Sequence, residues 1–187
     1  MNTRLLSLAL VAASLVPLAA QAQQAIVPAQ SEVSFTSRQM GVPVDGKFKT
    51  FSAQVAFDPA KLATSKIAFT VDTGSADIGR EANAEVVKPL WFNVAAFPKA
   101  TFQSAAIKRI DATRFEVAGK LSIKGVSSDV VVPVTLAQNG ATTVASGAFP
   151  IKRLSFRIGE KEWADTSMVA DEVQVKFKIA LTGVPKL

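Results

Sequence analysis

Residues 173–182 read "VQVKFKIALT", and the parity of this stretch decides the fold. Val173, Val175, Phe177, Ile179 and Leu181 share one face, while Gln174, Lys176, Lys178 and Thr182 share the other. Successive side chains of a strand point to opposite faces, so this is a half-buried antiparallel strand with one wet side. Residues 115–124 repeat the pattern. Phe115, Val117, Gly119, Leu121 and Ile123 oppose Glu116, Ala118, Lys120, Ser122 and Lys124. Ile67, Phe69 and Val71 do so again, as do Val33 and Phe35.

Moving outward, the other segments carry the period less cleanly. Phe51 to Phe57 is apolar at odd positions, with Phe48 out of phase, as a bulge would leave it. Val130 to Leu136 is apolar on both faces and holds Pro133, which fits an edge or covered strand. Residues 101–109 and 142–149 are weaker strands. The sum is about eight, punctuated by Asp58-Pro59, Lys124-Gly125 and Asn139-Gly140. Eight antiparallel strands with one apolar face close into a barrel or sandwich. The exception is "DIGREANAEVVK" (77–88), rich in helix formers, with Asp77 placed to cap it and Pro89 to end it. The expectation is an all-β, eight-stranded antiparallel barrel with one short α-helix.

The first residues read as a targeting segment. Arg4 precedes an apolar run from Leu5 to Val16, and Ala20-Gln21-Ala22 has the small-x-small cleavage pattern. The run is shorter than the roughly 20 residues that span a bilayer. This predicts a signal peptide over 1–22, cleavage after Ala22, export to a Gram-negative periplasm, and a single domain over 23–187. An uncleaved anchor is the alternative.

The chain has no His, Cys or Tyr. That removes the imidazole base, the thiol nucleophile and the phenolic acid, with the best ligands for zinc, copper and iron. No Walker, G-x-S-x-G or G-x-G-x-x-G motif is present. No cofactor, metal or enzymatic activity is expected. Glu81 and Glu85 read as a solvated helix face, and Asp165, Asp171 and Glu172 match no EF-hand spacing. The formal charge is +6. It reads as a solvated basic surface, or as attraction to an anionic membrane surface, and not as a nucleic-acid site.

Parity turns Phe35, Phe57, Phe69, Phe115 and Phe177 inward. Gly119 falls on the same face in mid-strand. It marks either tight packing by a neighbour or space kept open in an apolar tunnel. Trp91, Phe92, Phe97 and Phe102 follow the helix within a proline-punctuated stretch. They either plug an end of the barrel or admit a long chain into it.

Three blocks carry a resemblance. "IKRLSFRIGEKEWADTSMVADEVQVKFKIAL" (151–181), "GKLSIKGVSSDVVVPV" (119–134) and "REANAEVVKPLWFNVAAFPKATF" (80–102) resemble the YceI-like family, as do Gly46, Phe48 and Phe51. The resemblance implies an exported, lipocalin-like barrel that binds polyisoprenoid and related lipids. It implies Arg80 and Arg153 as headgroup candidates beside the ten apolar lining residues. Asn83 and Gln39 stand where the family often has His, and Lys152, Ser155 and Arg157 also depart from its pattern. These departures predict a more basic mouth. The expected function is a carrier of a long apolar lipid, an isoprenoid, quinone or fatty-acid-like chain. The alternative is an exported stress or interaction protein with a filled barrel and no ligand.

Overall fold

The computed structural model describes residues 24–187. The expected signal peptide and its cleavage point lie outside the described residues. The alternating stretches form strands β1 (Ala25–Ile26), β2 (Glu32–Gln39), β3 (Val42–Phe48), β4 (Phe51–Ala56), β5 (Lys66–Asp72), β6 (Ala76–Asp77), β7 (Lys99–Arg109), β8 (Arg114–Ile123), β9 (Val126–Asn139), β10 (Thr142–Lys152) and β11 (Glu172–Thr182). They make one antiparallel sheet in the order β4-β5-β7-β8-β9-β10-β11-β2-β3-β6, with β1 on β11. The helix α1 spans Arg80–Val86.

The sheet curls until its ends meet, and the seam is not a continuous ladder. Near β1, the Gln24 side chain bonds both backbone groups of Phe57, at 2.6 Å to the carbonyl and 2.9 Å from the amide. At the other end, β6 pairs with β3, and the Lys49 amide donates to the Ser75 carbonyl at 3.1 Å. Strands β2 and β11 pack across the interior against Phe51, Val55, Phe69 and Val71 of β4 and β5. The expected all-β antiparallel barrel with one α-helix is what the described residues form, with eleven strands where eight were expected.

Two local expectations are corrected. Phe48 is not a bulge within the following strand. It ends a separate strand, β3, joined to β2 by a tight turn in which Met40 and Gly41 both have positive φ, 51° and 81°. Two positive φ values match the twist of a two-residue hairpin. Pro43, Asp45 and Gly46 are poor strand formers, which hid β3 from the periodicity. Asp77 does not cap α1 either. It lies in β6 and accepts from Asn83 Nδ2 at 3.0 Å, while Asn83 Oδ1 accepts from the Ile78 amide at 2.7 Å. Asn83, inside the helix, reaches back to tie its entry to the sheet.

The strand glycines show why some inward positions are small. At Gly119 a Cβ would lie 2.6 Å from Phe102 Cζ, and closer to the Gln103 carbonyl. The tunnel reading of Gly119 is therefore wrong, because the Phe102 ring already occupies the space above it. The strand β7 also carries a register shift between Ser104 and Ala106, opposite Gly119. That bulge brings the two strands close together.

Candidate functional site

The inward faces of β4, β5, β7–β11 and β2 do not fill the barrel. A deep cavity of about 200 Å³ is lined by Phe57, Phe69, Phe102, Phe115, Phe177 and aliphatic neighbours. A wider cavity of about 500 Å³ is lined by Phe35, Phe48, Trp91, Phe92, Trp163 and residues around them. Six residues line both: Val33, Val71, Ala100, Leu121, Phe149 and Val175. The two spaces therefore adjoin inside one lumen, with a narrow apolar part at the bottom and a wider part near α1. An apolar cavity of about 150 Å³ stays dry and takes apolar guests, and the deep cavity is of that order.

The bottom is closed by packing. Phe57 and Phe115 stand edge to face at 5.4 Å, with Leu136 of β9 in the same buried cluster. Arg109 lies over Phe115 at 5.0 Å and donates to the Pro59 carbonyl at 2.6 Å. The wide end is bordered differently, by α1, the turns over 87–98 and the segment 153–171. Those pieces have little ladder of their own, so their backbone groups need other partners.

Arg153 supplies five of them. Its guanidinium is 2% exposed. Nε donates to the Ala170 carbonyl at 3.0 Å, Nη1 to Ile158 and Gly159 at 2.9 Å each, and Nη2 to Trp163 and Val169 at 2.7 Å each. A guanidinium has five N–H donors in a fixed fork, and these five carbonyls match them. Burial lowers its pKa, and the nearby Asp171 carboxylate opposes that effect. Asp171 accepts from the Leu154 amide at 3.0 Å. Trp91 lies 5.9 Å from the guanidinium and packs at 5.4 Å, tilted, against Trp163. A second tie comes from Lys124 at the β8–β9 turn. Its Nζ donates to the Arg157 carbonyl at 2.6 Å and to Glu160 at 3.0 Å.

A model of the YceI-like domain matches residues 25–181. The chain belongs to the YceI-like family. It is similar to BcnA of Burkholderia cenocepacia, with TM-score 0.80 and 49% identity over 83% of this chain and 98% of that one. It has the fold of a polyisoprenoid binding domain from Saccharophagus degradans, with TM-score 0.70 and 13% identity over 87% of this chain and 99% of that one. A UPF0312 protein of Azotobacter vinelandii is 34% identical over 46% of either chain. The chain spans about half the length of the curated relatives it matches first.

Within this YceI-like barrel, eight of the ten expected lining positions divide between the two cavities. Phe57, Phe69, Phe102, Phe115 and Phe177 line the deep cavity, and Phe35, Trp91 and Phe92 the wide one. Gly119 lies under Phe102, as described above. Phe97 is a correction. It borders neither cavity but sits on the β8–β9 turn, where its Cε1 would be 2.8 Å from a Cβ on Gly125. It plugs that corner.

Both headgroup candidates are corrected as well. Arg80 is exposed at the start of α1 and lines neither cavity. Arg153 borders the wide cavity, but its donors are all held by carbonyls, leaving none for a ligand. The expected basic mouth is also absent from the lining, whose ionisable members are Glu81, Glu85 and Arg153. Arg157 is exposed at a left-handed turn position, φ 58°. The period-two reading missed Phe48 because β3 was missed. It missed Phe149 because Pro150 and Gly147 weaken the strand pattern around it. Trp163 packs on Trp91 and also borders the cavity. Asp165 holds its turn, accepting from the Ser167 amide at 2.9 Å and hydroxyl at 2.7 Å.

Proposed function

We propose that this YceI-like chain is a periplasmic carrier that holds one long apolar lipid, an isoprenoid or similar chain, inside the barrel. The observation that carries the reading is the pair of adjoining apolar cavities, which share six wall residues along the barrel. Hydrophobic energetics favour a long occupant. Each buried CH₂ contributes about 0.8 kcal/mol, against a cost of roughly 4–15 kcal/mol for association. About 15 or more carbons are therefore needed for firm binding. The similarity in fold to a polyisoprenoid binding domain supports an isoprenoid over other apolar chains. A binding role rather than catalysis fits the absence of His, Cys and Tyr from the sequence. The basic excess of +6 favours approach to anionic bilayers, where such lipids reside. Export rests on the pattern in residues 1–22.

The test is native mass spectrometry of protein isolated from the periplasm of its own host, before and after organic extraction. The expected result is an extractable apolar adduct, and a mature chain beginning at Gln23. Protein that carries no adduct, and takes up no isoprenoid from vesicles, would sink the carrier reading and favour an interaction protein.

A further inference from the structure

Three inward glycines lie beneath three phenylalanine rings, one pair on each of three adjacent-strand ladders. Gly46 of β3 is directly opposite Phe35 of β2, and Gly147 of β10 is directly opposite Phe177 of β11. Gly119 of β8 is diagonal to Phe102 of β7. In each pair the far edge of the ring rests where the glycine Cβ would be. That Cβ would stand 2.8 Å from Phe35 Cε2, 2.6 Å from Phe102 Cζ and 2.6 Å from Phe177 Cζ. Ordinary contact between carbons is about 3.5–4.0 Å. Strands lie about 4.8 Å apart, so a ring whose tip covers its neighbour's Cα leans along the wall. It does not stand into the lumen. Bare glycine is what allows that posture.

All three rings border the lumen, Phe102 and Phe177 in the deep cavity and Phe35 in the wide one. We infer that Gly46, Gly119 and Gly147 set the length of chain this barrel accepts, by seating three rings flat against the wall. A methyl at a seat stands its ring up across the lumen and shortens the usable channel. The inference rests on the carrier reading and adds its specificity determinant.

Gly46 gives the cleanest test. A Cβ at Gly119 or Gly147 would also meet a backbone carbonyl, of Gln103 or Pro133. At Gly46 the near atoms all belong to side chains, those of Phe35 and Ile78. Delipidated wild type, Gly46→Ala, Phe35→Leu and the double variant are each offered prenols of 15 to 45 carbons in phosphatidylcholine vesicles. Uptake is read by native mass spectrometry, and circular dichroism checks the fold. A chain that outruns the lumen leaves carbons in water, so uptake drops about tenfold or more per five-carbon unit beyond the limit.

The expected limit for Gly46→Ala is at least one unit shorter, with the shortest prenol taken up as by wild type. In the Phe35→Leu background, where no ring can stand up, adding the methyl should leave the limit unchanged. That pair of variants decides the matter even if Gly46→Ala alone does not fold. An unchanged limit in folded Gly46→Ala, equal loss at every length, or a shortened limit in the ring-free background would each overturn the inference. Wild type that takes up no prenol of any length would instead overturn the carrier reading, and the length gauge with it.

Discussion

At the bottom of the lumen, Phe57 and Phe115 meet edge to face and Leu136 completes the plug. At the wide end, one guanidinium holds five carbonyls of a segment that makes little sheet of its own. The bottom depends on many apolar contacts spread over several side chains. The wide end depends on a few buried polar groups, each with several partners. Packed apolar surface degrades gradually when trimmed, whereas a buried acceptor left without a donor is penalised in full. The difference predicts where single substitutions act and how far their effects spread.

The largest effect is expected at Arg153. Replacing it with Met keeps bulk and removes all five donors. Each orphaned carbonyl costs about 1–3 kcal/mol, so the loss should reach about 5 kcal/mol or more, unless the segment lets water in. Arg153→Lys should rescue little, since an ammonium is a point charge without the planar fork. Denaturant unfolding gives the magnitude, and limited proteolysis within 153–171 gives the location. Cleavage no faster than in wild type would erase the distinction between the two ends.

Phe115→Ala tests the bottom. The residue is 2% exposed, and loss of a buried phenyl costs about 3–5 kcal/mol. Its effect should be global, with 153–171 as protease-resistant as in wild type at matched stability. Lys124→Met should be smaller, about 1–2 kcal/mol, because Glu160 can turn to water while the Arg157 carbonyl loses its donor. Its loss should add to proteolysis of 153–171 and leave the bottom untouched.

The smallest effect is one of pH. Asp111, in the turn between β7 and β8, is held at a pKa of about 2 by the Thr113 amide, then by the Arg114 side chain and amide. A lowered carboxylate pKa means the ionised form is favoured in the folded state. Its contribution is complete above the ordinary aspartate value near 4 and is lost as pH falls toward about 2. Asp165, lowered by its Ser167 bonds, behaves in the same direction at the wide end. The Thr113 and Ser167 amide shifts should report these two titrations by NMR. A midpoint for Asp111 at the ordinary value would remove the turn from this account.

The bottom was legible because its information is periodic. Val173, Val175, Phe177, Ile179 and Leu181 state their face by parity alone, and barrel closure follows from enough such strands. The wide end was legible in composition and not in role. Arg153 was singled out, yet as a ligand contact, because its true partners are main-chain carbonyls that leave no mark on a sequence. Asp77 was read as a cap by its type and position, while the polar side chain that ties down the helix entry is Asn83, from within the helix. Gly119 was recognised as a place of close approach. Which neighbour approaches depends on a diagonal pairing and a bulge at Ser104, and neither is visible before strands are placed side by side.

The Arg153 fork has a consequence in time. Five carbonyls spread over residues 158–170 share one cation, so none of them can be released far without loosening the others. The segment therefore opens as a unit, and its amides should exchange with solvent at one common rate. If the proposed cargo leaves through this end, its residence would be set less by its own contacts than by how often one side chain lets go.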